Sequence, residues 1–225
     1  MQDVIDYLPL LLLGLRTTLM LAASTLVVGL ALGMALALVK MSPRAWASRP
    51  AFALANFLRG IPEFLVLLVI YFGGAQVLDG LFGPGTVQVS PWGAGLIALS
   101  LVFGSYASET FRAAFQSVPK GQIEAGHAYG FTRWQTFRHI ELPQIWRVAI
   151  PGLGNLWQGV VKDTALVSVI GLDDLMRKAN QAAQSTREPF TFYLVASLFF
   201  LAITLLSMLA IARLERRASR GVRRA

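Results

Sequence analysis

The chain has 225 residues, 55% of them hydrophobic and only 14% charged, and its mean hydropathy of +0.58 excludes an ordinary soluble domain in favour of one membrane domain over residues 1–225. With no cysteine, disulfides and thiolate chemistry are excluded, and two histidines make a poor zinc site. A formal net charge of +8 does not point to nucleic acid, because the basic residues gather in loops beside apolar runs, where lipid headgroups and membrane orientation account for them.

In chain order, residues 1 to 7 hold Asp3 and Asp6 and no basic residue, unlike a cleaved signal peptide, so the segment is expected to be retained. A first span is predicted over about 10–39, because Thr17 to Val39 is uncharged and long enough to cross about 30 Å of hydrocarbon as a helix. Gly29 and Gly33 form a small-x-x-x-small ridge suited to close helix packing, though such residues are common in any membrane helix. Arg16 can snorkel to the headgroups. Lys40 to Pro50 reads as a short basic loop.

The second span is expected over about 52–78, and its beginning is unusual: Arg59, Gly60, Ile61, Pro62, Glu63. A charge inside a membrane helix faces protein or water, and the proline frees backbone groups that need partners. Arg59 and Glu63, four apart, either pair on one helix face or serve a polar path. Gly73 to Trp92 reads as a loop, and a third span follows over about 91–112, with Glu109 as an internal partner for a nearby cation.

Residues 118–143 are polar, lie between apolar runs, and yet carry the marks of two short helices. Pro119 suits a helix start, and Gly130 falls where a helix ends in the left-handed conformation. Thr132 with Gln135 makes a capping box for a second helix to about Ile140, beyond which Pro143 is expected to prevent continuation. The fourth span, about 148–172, is the least apolar. Pro151, Gly152, Gly154 and Gly159 interrupt it, and Asn155, Gln158, Lys162 and Asp163 make it polar, so one face must meet helices or a water-filled path. Lys162 and Asp163 could also simply satisfy each other. Asp173 to Pro189 is polar, with room for a short surface helix, and a fifth span is predicted over about 190–212 before the tail arginines Arg213, Arg216, Arg217, Arg220, Arg223 and Arg224.

Five spans put the termini on opposite sides. With the amino terminus outside, Lys40, Arg44, Arg49, Lys120, Arg133, Arg138, Arg147 and the tail arginines all lie in the cytoplasm, and only Arg177, Lys178 and Arg187 lie outside. The positive-inside rule favours that arrangement.

Glu124, Ala125, Gly126, Gly130, Ile140, Leu142 and Pro143 resemble the pattern E-A-A, three residues, G, nine residues, I-x-L-P of permease subunits in bacterial ATP-binding-cassette importers, with Gly126 for the usual third-position alanine. Arg59 to Leu68 is similar to a stretch of the polar amino acid branch, and an acidic residue after the proline resembles the histidine, arginine and opine permeases. The resemblance implies an all-α fold of five transmembrane helices in which the seven pattern residues couple to an ATPase. It further implies two copies of an ATP-binding subunit that bind ATP and Mg, a second permease subunit, identical or homologous, and an extracytoplasmic solute-binding protein, all at a bacterial inner membrane. This chain has no phosphate loop and is not expected to be an enzyme. The substrate path is expected to use Arg59, Glu63, Glu109, Lys162 and Asp163, and the cargo to be a cationic amino acid moved by alternating access. An ion-coupled carrier and a non-transporting anchor are the competing readings.

Overall fold

A computed structural model describes residues 2–83 and 88–219 and contains helices and no strand among them. Helix α1 (Gln2–Lys40) runs without interruption through Pro9. The segment expected to be a loop is helical from its middle: α2 (Ala45–Gly60) includes Pro50. That proline lies early in the helix and removes only one backbone hydrogen bond, so the helix absorbs it.

Pro62 divides the region predicted as one helix over 52–78. Proline disfavours the helical region for the residue before it, and Ile61 is extended at φ −107°, ψ 137°. A new helix begins at Glu63: α3 (Glu63–Leu68) passes through a π-turn (Val69–Gly73) into α4 (Gly74–Phe82). The predicted loop from Gly73 is therefore helical to Phe82, and its residues 84–87 lie outside the described residues.

Helix α5 (Pro91–Gln116), four residues longer than expected, is the centre of the fold. Its buried positions include Ala94, Gly95, Ala98, Gly104, Ala107 and Ala114, small residues that let neighbouring backbones approach closely where lipid offers no hydrophobic drive. The Gly29–Gly33 ridge of α1 uses this surface. A Cβ on Gly29 would lie 2.5 Å from the Phe103 ring, and one on Gly33 would lie 2.8 Å from Ala107 Cβ and 3.0 Å from the Gly104 carbonyl oxygen.

After α6 (Lys120–Ala128) and α7 (Arg133–Thr136), the chain does not stop near Pro143. A π-turn (Phe137–Glu141) carries it directly into α8 (Leu142–Asp163), with Pro143 in the first turn of α8. Proline has no amide to give the preceding turn, and the wider π-turn accommodates the missing bond. Beyond α8 the chain tightens into a 3-10 helix (Thr164–Ile170), so the predicted fourth segment is made of two kinds of helix.

The polar segment after it forms α9 (Leu175–Thr186), which packs into the fold through Leu175, Ala179, Ala182 and Ala183 against Leu11 and Phe192. Its start is fixed on α1: the Leu175 amide donates to Thr18 Oγ1 at 3.1 Å. Asp174 caps it by accepting from the Arg177 amide at 2.8 Å. Burial pushes the Asp174 carboxyl up to about 6, against the opposing effect of the amide hydrogen bonds.

Helix α10 (Pro189–Ala218) extends six residues past the predicted end. The tail residues Arg220, Arg223 and Arg224 lie outside the described residues. Four helical stretches among the described residues are long and apolar enough to cross a membrane: Asp3–Lys40, Glu63–Phe82, Pro91–Gln116 and Pro189–Ala218. Helix α8 is not among them, in keeping with its polar composition.

Candidate functional site

The loop between α5 and α8 is ordered by its own chemistry. Gly130 has φ +86°, the Phe131 amide donates to the Gly126 carbonyl at 3.0 Å, and the Gly130 amide donates to the His127 carbonyl at 2.9 Å. This paired closure ends a helix by reversing into the left-handed region. Thr132 and Gln135 then form the expected capping box: the Thr132 amide donates to Gln135 Oε1 at 2.8 Å, and the Gln135 amide to Thr132 Oγ1 at 3.3 Å. Gln144 Nε2 ties the two sides together by donating to Gln122 Oε1 and to the Ile140 carbonyl, both at 2.7 Å.

Gly126 lies at the crossing of the two helices. A Cβ there would come within 2.7 Å of Ile140 Cδ1 and 3.3 Å of Thr136 Oγ1. Glycine thus seats Ile140 and the wholly buried Thr136 against α6. Around this crossing the surface is apolar and open. Tyr129 is 87% exposed and Trp134 64%, and Ala125, Tyr129, Phe131 and Ile140 line a concavity of about 560 Å³. Glu124 is exposed beside it, Leu142 is half-buried and Pro143 exposed. An ordered, apolar and basic surface of this kind suits a soluble partner better than solvent.

The residues expected along a path separate into two places. Glu63, at the start of α3, and Asp163, at the end of α8, line one cavity of about 160 Å³ together with Tyr106, Asn155 and Gly159. Arg59 does not pair with Glu63, because the Pro62 break destroys the four-residue spacing. Its Nη2 donates to Asn56 Oδ1 at 2.6 Å, and its guanidinium stacks 5.9 Å from the Tyr106 ring centroid. Lys162 is exposed and is not part of the cavity lining, since it is one residue and about 100° of helix away from Asp163.

Glu109 is elsewhere. It accepts from the buried Lys40 Nζ at 2.7 Å and from Arg112 at 2.9 and 2.7 Å, while Lys40 also donates to Ser108 Oγ at 2.8 Å. The Phe52 ring lies 5.3 Å from Lys40 Nζ and 5.6 Å from the Arg112 guanidinium. This cluster joins the end of α1 and the last turns of α5 to the middle of α2 and is structural. Tyr106 is the cavity residue that sequence reading missed; it lies among the small residues Gly104, Ser105, Ala107 and Ser108, and no spacing marks it.

Two carboxylates and an amide around a small cavity have the chemistry to attract a cation, and the Tyr106 ring beside them already carries the Arg59 guanidinium. An all-helical fold with several apolar membrane-length helices is that of a membrane transport subunit. The sequence model of the binding-protein-dependent transport system inner membrane components matches residues 29–220, so the chain belongs to that family.

The chain is 46% identical to the arginine ABC transporter permease protein ArtQ of Escherichia coli strain K12, covering 91% of this chain and 92% of the relative. It is 40% identical to the histidine/lysine/arginine/ornithine transport system permease protein HisQ of the same organism, over 94% of each chain. It superimposes on a crystal structure of an amino acid ABC transporter with histidines at a TM-score of 0.84, with 31% identity over 96% of this chain and 97% of the other. The inward-facing MetNI methionine ABC transporter, at 20% identity and a TM-score of 0.77 over 95% and 98% of the two chains, shares the fold. This is an ABC importer permease subunit that works with an ATPase and a binding protein, and it is not itself an enzyme. Family membership sets aside the ion-coupled carrier and the anchor.

Proposed function

We propose that this subunit moves a cationic amino acid of the arginine, histidine, lysine or ornithine kind across the inner membrane. The observation that carries the reading is the cavity lined by Glu63, Asp163, Tyr106 and Asn155: two carboxylates receive a guanidinium or ammonium. The cargoes of the relatives, arginine for ArtQ and histidine, lysine, arginine and ornithine for HisQ, support the same cargo.

The wider assembly is part of this proposal. Two ATP-binding subunits, which bind ATP and Mg, seat on the surface built around Glu124, Ala125, Gly126, Gly130, Ile140, Leu142 and Pro143. A second permease, identical or homologous, faces the cavity, and an extracytoplasmic binding protein delivers the cargo. Five crossings, counting α8 with its 3-10 extension as one, leave the termini on opposite sides, and the distribution of basic loop residues supports an amino terminus outside and a carboxyl terminus in the cytoplasm. Closure of the ATPase pair on ATP tilts the permease halves between inward-open and outward-open.

The test is uptake of labelled arginine by the reconstituted transporter. Glu63→Gln and Asp163→Asn lower arginine uptake at least tenfold while the complex still assembles and docks its binding protein. Lys162→Ala leaves uptake within about twofold, because Lys162 stands outside the cavity. Uptake of glutamine or glutamate in preference to arginine, or full arginine uptake by both acid variants, would refute the cargo assignment.

A further inference from the structure

On the face of α8 away from the acidic cavity, α1, α8 and α10 enclose an open groove of about 620 Å³. From α10 its lining includes Ile203, Leu206, Ala210 and Leu214, at spacings of three and four residues, and from α8 it includes Ile150 and Trp157. The one polar pair within it is internally engaged: Trp157 Nε1 donates to Ser207 Oγ at 2.9 Å.

The same helical spacing, continued one turn past Leu214, brings Arg217 onto the groove face of α10. Continued one turn back from Ile150, it brings Arg147 onto that face of α8. The two helix ends are held together at that point, because Arg147 Nε donates to the Ala218 carbonyl at 3.0 Å. Arg217 is exposed and Arg147 half-buried. At its Leu214 end the apolar groove thus reaches two guanidinium groups.

We propose that this groove holds an acyl chain of an anionic phospholipid, with the headgroup phosphate at Arg147 and Arg217. Guanidinium suits phosphate through its planar fork of donors. Length selects the occupant. From Ile203 to Leu214 the groove runs roughly 16 Å at 1.5 Å per residue, about half of the ~30 Å hydrocarbon thickness. That matches the acyl chain of one leaflet and falls short of a membrane-crossing helix from another subunit.

The experiment is native mass spectrometry of the complete transporter extracted from nanodiscs of phosphatidylglycerol or of phosphatidylcholine. Wild type is expected to retain phosphatidylglycerol and to shed phosphatidylcholine. Arg217→Gln, whose side chain holds no structural hydrogen bond among those described, lowers the retained phosphatidylglycerol about tenfold, and Arg147→Gln combined with it removes the rest. Ala210→Phe fills the groove and loses the lipid with both arginines intact. Melting temperatures of the variants in detergent confirm that each is folded. Equal retention of the two lipids, or unchanged retention by Arg217→Gln in a folded transporter, overturns the proposal. So does a disulfide-forming Leu206→Cys variant that captures a second subunit, because a protein would then be the occupant.

Discussion

Lys40 and Glu109 meet at 2.7 Å at the ends of α1 and α5, with the Lys40 side chain entirely out of solvent. The pair is asymmetric, because Glu109 also holds a second cation, Arg112, while Lys40 has besides it Ser108 and the Phe52 ring face but no second carboxylate among the described residues. Removing one partner of a buried pair costs about 3–5 kcal/mol when the other is left uncompensated. Glu109→Leu, which strands the ammonium, is therefore expected to destabilise the purified complex far more than Lys40→Met, which leaves Glu109 with Arg112. Thermal unfolding followed by tryptophan fluorescence reads the difference. Equal losses would mean that Arg112 does not support Glu109.

The glycines of α1 make a second contrast. At Gly33 an added Cβ meets a backbone oxygen and another Cβ, neither of which can turn away, whereas at Gly29 it meets the Phe103 ring, which can. Gly33→Ala is expected to cost about 2 kcal/mol as overpacking, and Gly29→Ala about half that. Expression and melting temperature of the two variants, measured side by side, check the order.

In the coupling surface, Gly130 has open space around it but a positive φ, so its constraint lies in the backbone alone. Gly130→Ala should weaken the loop by about 1 kcal/mol, with a modest loss of transport-coupled ATP hydrolysis, and Gly130→Pro should abolish recovery of the ATPase in pull-downs. Gly126→Ala behaves differently. Its Cβ meets the flexible tip of Ile140 at 2.7 Å and the buried Thr136 side chain at 3.3 Å, and the helix gains propensity, so coupled hydrolysis stays within about twofold of wild type.

Asp174 predicts a pH dependence. Its carboxyl is held up near 6 from an ordinary 3.8, so the folded chain binds that proton more tightly than the unfolded chain does. Stability from this group is full below pH 3.8 and falls as pH rises towards 6, by on the order of 2 kcal/mol. Asp174→Asn keeps the helix cap and removes this slope, whereas Asp174→Ala loses the cap. Melting curves between pH 4 and 7 that show the same slope in wild type and Asp174→Asn would disprove the assignment.

Local signals in the sequence were reliable where backbone chemistry alone decides. The left-handed Gly130, the Thr132–Gln135 box and the Gly29–Gly33 ridge all stand where their residue types predicted. Proline was the recurrent source of error, because its effect depends on position. Pro50 falls early enough in α2 to be absorbed, Pro62 breaks the chain completely, and Pro143 is accommodated by a π-turn that no residue pattern announces. The acidic cavity was half legible. Glu63 and Asp163 are conspicuous as charges in apolar surroundings, but which neighbour turns inward depends on helix phase, and so Lys162 was expected beside Asp163 and Tyr106 was overlooked.

The π-turn at Phe137–Glu141 leaves no loop between the capping box and Asp163. The exposed apolar surface around Gly126 and the Asp163 that lines the acidic cavity thus belong to one continuous helical lever, whose α8 portion of 22 residues is roughly 33 Å long. A swing of about 10° at its base carries the far end roughly 6 Å by that length, as much as a cavity this size needs to open or shut. Spin labels at Gln135 and Ala165 that keep one separation through the ATP cycle would show the lever to be stiff, and a changing separation would place its joint at Pro151.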